Sequence, residues 1–293
     1  MRSTITAALA SLAIGLSACS DSAPGTGKLT VKLTDAPFPF TQVSRVDVFV
    51  VRIDAKSGTT TDAEAAAATS VSGWTTIATP NSLINLLALQ GGVTTNLGTS
   101  SLTTGSYRGF RMVIDPAQSS VTLKDGSKPS IIWPSAAQTG IKINLDQDIS
   151  VTKDSSVMIL DFDVGRSFIM RGNSISQNGL LFKPVIRAVA TELTGSMSGT
   201  VRADSPTGAL MVGTTVEVLK AGTVLADATP ENIVRSAVTD ANGAYRMAFL
   251  LPGTYVVRAT PMTSTTYLPA LLTGGVTITS GVEATGKLIV VTK

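Results

Sequence analysis

Histidine is absent from the 293 residues, and cysteine occurs once, as Cys19. The first absence removes the commonest general base and the commonest metal ligand, and no Ser-His-Asp triad can form. The second excludes a disulfide within the chain and a thiolate zinc cluster. Charge is sparse as well: 23 Lys and Arg stand against 20 Asp and Glu, scattered without a block of one sign. A net charge of +3 spread in this way gives nucleic acid no electrostatic footprint. No apolar run approaches the roughly 18 residues of a membrane-spanning helix. Ser130-Ile131-Ile132-Trp133 offers no lysine at helical spacing for Ser-Lys chemistry, and Gly91-Gly92 and Gly274-Gly275 read as turns, not phosphate loops. Aromatic residues make up 5%, so Trp74, Trp133, Tyr107, Tyr245 and Tyr255 are expected first in packing.

What is present is a β pattern. Hydrophobic residues reach 43% and charged residues only 15%, which suits a folded, Ser- and Thr-rich chain. Leu29, Val31 and Leu33 alternate with polar neighbours, predicting a half-exposed strand, whereas Val46 to Ile53 is largely apolar on both faces and predicts a central one. Further strands are expected at Trp74–Ile77, Tyr107–Asp115, Ser119–Leu123, Gly140–Leu145, Val157–Val164 and Leu181–Ala190. Ala55–Ser72 reads as a loop, and Asn81–Leu89 as the one candidate helix. After a boundary near Thr194-Gly195-Ser196, about seven short strands in roughly 95 residues give the arithmetic of a β-sandwich. Asp240-Ala241-Asn242-Gly243 supplies a tight turn between two of them. The expected fold class is all-β, with two sandwich-like domains in tandem: 28–193 and 194–293.

The amino terminus carries Arg2, an apolar stretch from Ala7 to Leu16, and small residues before Cys19, which is the grammar of a secretory signal over 1–18. Leu16-Ser17-Ala18-Cys19 resembles the bacterial lipobox. The resemblance implies diacylglyceryl transfer to the Cys19 sulfur, cleavage before it, and a membrane partner reached through lipid. The alternative is an ordinary secreted protein. Ser20 in place of an aspartate directly after the cysteine leans towards the outer membrane of a two-membraned bacterium, and 19–27 is expected as a flexible tether.

Gly199-Thr200-Val201, Gly213 to Val218, Thr239 to Tyr245 and Leu251 to Val257 resemble, in order and spacing, the carboxypeptidase regulatory-like domain. That resemblance implies a prealbumin-like sandwich grouped with carbohydrate-binding-like folds, noncatalytic in itself; the insertion Ala221–Ile233 is longer than the family pattern. Leu33 to Pro37, Val46-Asp47-Val48, Gly73-Trp74, Ile84 to Leu87, Gly105-Ser106-Tyr107, Leu160 to Asp163 and Phe182 to Arg187 resemble the domain of unknown function 4382, over 28 to about 191. That family is frequent in bacterial lipoproteins and has no established activity.

Two sets of side chains are candidates for chemistry. Asp161 and Asp163 share a strand face, with Asp35 near the end of another strand. They are either a carboxylate set for hydrolysis or calcium, or caps and partners of Arg166, Arg187 or Lys183. Tyr267, among polar neighbours and next to a proline, is the candidate stacking residue for a sugar. The expectation is a noncatalytic, lipid-anchored envelope module, without cofactor or bound metal, whose ligand is a polysaccharide or envelope protein. The alternative is a hydrolase or metal-dependent enzyme using Asp35, Asp161 and Asp163.

Overall fold

The structure, a computed structural model, describes residues 25–36, 42–57, 74–134, 140–145, 147–227, 229–262 and 265–293. Cys19, most of the tether and 58–73 of the expected loop lie outside these residues.

The first module runs through β1 (Thr26–Ala36), β2 (Val43–Ser57), β3 (Thr75–Ala78), β4 (Ser82–Asn85), β5 (Thr95–Thr103) and β6 (Gly105–Leu123). It continues with β7 (Ile131–Ile132), β8 (Ile141–Leu145), β9 (Ile149–Val151), β10 (Ser156–Asp163), β11 (Phe168–Met170), β12 (Leu180–Phe182) and β13 (Ile186–Ala190). Its main sheet has the order β3-β2-β6-β8-β13-β10-β1-β5, with β4 added to β2 and β9 to β6. The sheet curls until its two edges meet. A Cβ built on Gly98 of β5 would stand 3.0 Å from that of Ala78 in β3, so glycine there permits the approach. Alternating residues fill the interior: Leu29, Val31 and Leu33 from β1, and Met158, Leu160 and Phe162 from β10, are all fully buried.

Thr26 and Gly27 already pair with Thr103 and Leu102, so the tether ends sooner than its composition suggested. The reason is steric: a side chain on Gly27 would overlap the Thr152 carbonyl, so the glycine that reads as flexible linker is there to let β1 pass. Tyr107–Asp115 and Ser119–Leu123 form one strand, not two, running through Pro116. The missing proline donor is accommodated by a register shift on β2. The Ser119 hydroxyl accepts the Phe49 N–H at 2.9 Å and donates to the Asp115 carbonyl at 2.7 Å. The expected helix at Asn81–Leu89 is instead β4 followed by a 3-10 segment, Leu86–Gly92, broken at Gln90 and Gly91. Its apolar run is short and uncapped, and β2 offers Ser82–Asn85 a ladder that a lone helical turn cannot match. β2 also extends to Ser57, into the expected loop.

The second module comprises β14 (Gly195–Ala203), β15 (Thr215–Leu219), β16 (Ile233–Val238), β17 (Ala244–Leu250), β18 (Gly253–Thr260), β19 (Ala270–Leu271), β20 (Val276–Ile278) and β21 (Glu283–Val291). One sheet has the order β17-β14-β21; the other is β16-β15-β18-β19, with β20 on β18. Met197, Val201, Val216, Val218, Met247, Val257 and Ile289 pack between them. This core shares no residue with that of the first module. The β16–β17 turn holds Gly243 at φ +63°, while the Asp240 carboxylate accepts the N–H groups of Asn242 and Ala244 at 2.8 and 2.9 Å. Those bonds hold the Asp240 carboxyl below its usual range.

Candidate functional site

The sheet register sorts the three candidate carboxylates. β1 and β10 are parallel, and Asp35 lies opposite Phe162 while Asp161 and Asp163 lie opposite Thr34 and Ala36. Asp161 and Asp163 therefore leave the sheet on the face away from Phe162, as the alternation required.

Asp161 reaches into the second module. Arg235 of β16 grips it with two bonds, Nη1 to Oδ2 at 2.7 Å and Nη2 to Oδ1 at 3.1 Å, and both side chains are under one-tenth exposed. This bidentate partner is not one of Arg166, Arg187 and Lys183, the cations expected from the sequence, because tertiary packing brings up a cation 74 positions away. Arg187, beside Asp161 in register on β13, returns the gesture: its Nη1 donates to the Val234 carbonyl at 2.7 Å and its Nη2 to that of Ile233 at 3.4 Å. The long insertion Ala221–Ile233 ends here and delivers Ile233 to that bond. Each module thereby supplies an arginine that the other satisfies, a bidentate geometry guanidinium favours.

Asp163 caps a short helix, α1 (Val164–Ser167), accepting the Arg166 N–H at 2.9 Å, with the Arg166 Nε 3.9 Å away. Asp35 is buried; its Oδ1 accepts the Val164 N–H at 3.2 Å. Burial pushes the Asp35 carboxyl well above the usual carboxylate range, and the neighbouring charges of Asp161 and Asp163 push it further. Burial likewise takes Asp163 up to about 6, against the stabilising Arg166 N–H. Among the described residues no group of three or more acidic or cysteine side chains is arranged to hold a metal ion.

These raised values set a pH dependence. The folded protein holds protons that the unfolded chain releases near 4, so the contribution of Asp163 is present below that pH and is lost as pH rises through about 6. Asp163→Asn keeps a good N-cap side chain but removes the titration. It should raise stability at pH 7 relative to wild type by on the order of 1–3 kcal/mol, and leave it nearly unchanged at pH 4. Urea titrations at the two pH values check this; equal effects at both would assign Asp163 no such penalty.

Between the modules lies a cleft of about 220 Å³, bordered by Asp161, Arg187, Lys220, Arg235, Phe249 and Tyr255, among others. Phe249 has φ +60°, beside the register shift in the β14–β17 ladder, and the Arg235 guanidinium sits 5.7 Å from its ring centre. A second, more open groove of about 770 Å³ follows the broken segment at Gln90-Gly91 and the outer faces of β14 and β17.

The other aromatics are committed to packing. Trp133 meets Phe182 at 4.6 Å and Phe168 at 6.1 Å, Tyr107 and Tyr245 are buried, and Trp74 lies under Arg111 at 4.6 Å. The Tyr255 hydroxyl donates to the Leu251 carbonyl at 2.8 Å. Tyr267 is half-buried: its hydroxyl donates to Asp204 at 3.0 Å, and the Lys293 ammonium stands 5.5 Å from its ring. The structure brings none of the three carboxylates to Tyr267. Sequence reasoning missed Arg235 and Phe249. Arg235 did carry a signal, a cation at the same strand parity as buried Ala237; the positive φ of Phe249 left none.

A family profile described as a domain of unknown function (DUF4382) matches residues 26–184, more than half of the chain. A second, the carboxypeptidase regulatory-like domain, matches residues 196–285. No curated protein matches. Among solved structures, a chain of the type II cohesin–X-dockerin complex from Acetivibrio cellulolyticus is 27% identical, with a TM-score of 0.24; the alignment covers 33% of this chain and 56% of that one. The minor pilin GBS52 from Streptococcus agalactiae is 12% identical over 90% of this chain and 95% of that one, with a TM-score of 0.23. The shaft pilin SpaA from Lactobacillus rhamnosus GG is 10% identical over 91% and 97%, with a TM-score of 0.25.

Proposed function

We infer that this chain, which belongs to the DUF4382 family of domains of unknown function and continues into a carboxypeptidase regulatory-like domain, is a noncatalytic binding protein of the cell envelope whose two modules act as one unit. The observation that carries this reading is the commitment of Asp161 to Arg235. The acid that a hydrolase would need free is tied across the module boundary, and Asp163 is spent on capping. A buried, bidentate pair between modules is a device for fixing their relative position, which a catalytic pair on one strand does not require. Fixed modules in turn present a cleft of constant shape, as ligand sites on rigid scaffolds do.

In this reading the lipid on Cys19 places the unit at a membrane, with Ser20 directing it to the outer one, and the partner is a polysaccharide or another envelope component. Support comes from the signal grammar and the uniqueness of Cys19. Cys19→Ser should abolish detergent-phase partitioning of the expressed protein while leaving both modules folded, because the anchor is separate from both cores. A variant still in the detergent phase removes the anchor. Capture of envelope glycans by the mature protein tests the binding half: wild type retains a glycan class, and retention of none removes the carbohydrate reading.

A further inference from the structure

We propose that the cleft between the modules binds a ring-sized organic carboxylate, its charge held by Lys220 and Arg187 and its ring packed against Phe249 and Tyr255. The proposal deepens the binding reading above and rests on it. Charge is the first argument. The lining holds three cations, Arg187, Lys220 and Arg235, against one carboxylate, Asp161, and the Arg235 pair already absorbs that carboxylate. Arg187 donates to two neutral carbonyls, which orient its guanidinium, while Asp163 also feels its charge. Lys220 is exposed and makes no ion pair among the described residues, although Glu231, at the end of the same insertion, feels its charge. A cationic wall partly shielded from solvent favours an anion and disfavours a cation or a neutral sugar.

Shape is the second argument. A cleft of about 220 Å³ falls below the roughly 300–1,000 Å³ of sites for drug-sized molecules, which limits the occupant to a single ring with its substituent. The rest of the wall is apolar, built from Val189, Val234 and Leu250 beside the two aromatic rings. Phe249 reaches that wall from a left-handed backbone position that non-glycine residues rarely adopt. Strain of this kind persists where the surroundings hold it in place, and it clusters at ligand sites. The same ring stands 5.7 Å from the Arg235 guanidinium, and ring, Arg235 and Asp161 all border the cleft.

The test is isothermal titration of the mature protein with sodium D-glucuronate, sodium benzoate, D-glucose and inorganic phosphate. At least one of the two ring carboxylates should bind, and which of them binds more tightly distinguishes a sugar acid from an aromatic acid. Glucose, which lacks the charge, and phosphate, which lacks the ring, should each bind about tenfold more weakly or not at all. Lys220→Met removes an exposed ammonium without touching either core, and should weaken the bound acid about tenfold at an unchanged melting temperature. Phe249→Gly keeps the left-handed backbone and removes the ring, and should weaken it similarly. Absence of heat with both acids, phosphate binding as tightly as the better acid, or unchanged affinity in Lys220→Met would each overturn the proposal. Glycan capture that persists while neither acid binds would leave the broader reading standing and remove this site alone.

Discussion

Arg235→Met is expected to destabilise the chain by about 3–5 kcal/mol, the range for breaking a buried ion pair by removing one partner. The size follows from what remains. Asp161 is under one-tenth exposed, and without its bidentate partner it must stay charged in a poorly hydrated boundary or take up a proton against its ordinary preference. Methionine fills much of the vacated volume, so little of the loss comes from a cavity. The exposed pair Arg108–Asp148, with side chains 65% and 43% accessible, is the contrast: Arg108→Met should change stability by about 0–1 kcal/mol. Adding Asp161→Asn to Arg235→Met removes the stranded charge and should recover a large part of the loss, and the double-mutant cycle measures the coupling. Chemical denaturation of wild type, Arg235→Met, Asp161→Asn, their double and Arg108→Met checks the pattern; a loss under about 1 kcal/mol for Arg235→Met would mean that water reaches Asp161 freely.

Gly199→Ala should cost about 3 kcal/mol or more, at the upper end of overpacking penalties. Gly199 pairs with Tyr245 on one side and Lys287 on the other. A methyl group there would overlap the Lys287 carbonyl oxygen and stand 2.7 Å from the Tyr245 hydroxyl, which donates to that same carbonyl at 2.9 Å. Backbone and a bonded hydroxyl cannot both move aside, so either the β14–β21 ladder opens or the buried tyrosine loses its acceptor. Measurement of the urea midpoint decides it, with Tyr245→Phe as the companion variant, expected to lose only the hydrogen bond, about 1 kcal/mol. Full stability in Gly199→Ala would require the β14–β21 register to be different.

This glycine shows how much of the fold the sequence carried. Gly199-Thr200-Val201 and the turn ending at Tyr245 stood out as motifs, and in the structure they are one packing unit. Strands with a clear alternation, such as Leu29–Leu33 and Thr215–Leu219, were legible for the same reason that they are buried: period two is written into residue type. β5 was not. Of Thr95–Thr103 only Leu97 and Leu102 are buried, and the shift at Val31/Lys32 spoils their spacing, so a sheet edge closed against Ala78 looks like a polar loop. The site was half-legible. Asp161 and Asp163 were found from their alternation, but the partner of Asp161 was sought nearby in sequence, where side-chain reach can be judged, and it arrived instead from β16. The raised pKa of Asp163 and the left-handed Phe249 depend on burial and on a ladder shift, which residue type alone does not encode.

That the two modules act as one unit, closed by Asp161 and Arg235, is most directly tested by differential scanning calorimetry of the mature protein beside Arg235→Met. Wild type should unfold in a single transition, since the pair and the Arg187 bonds couple two otherwise separate cores, and the variant should resolve into two, with the second module holding its own transition. Two transitions in wild type, at temperatures the substitution leaves unchanged, would contradict the account.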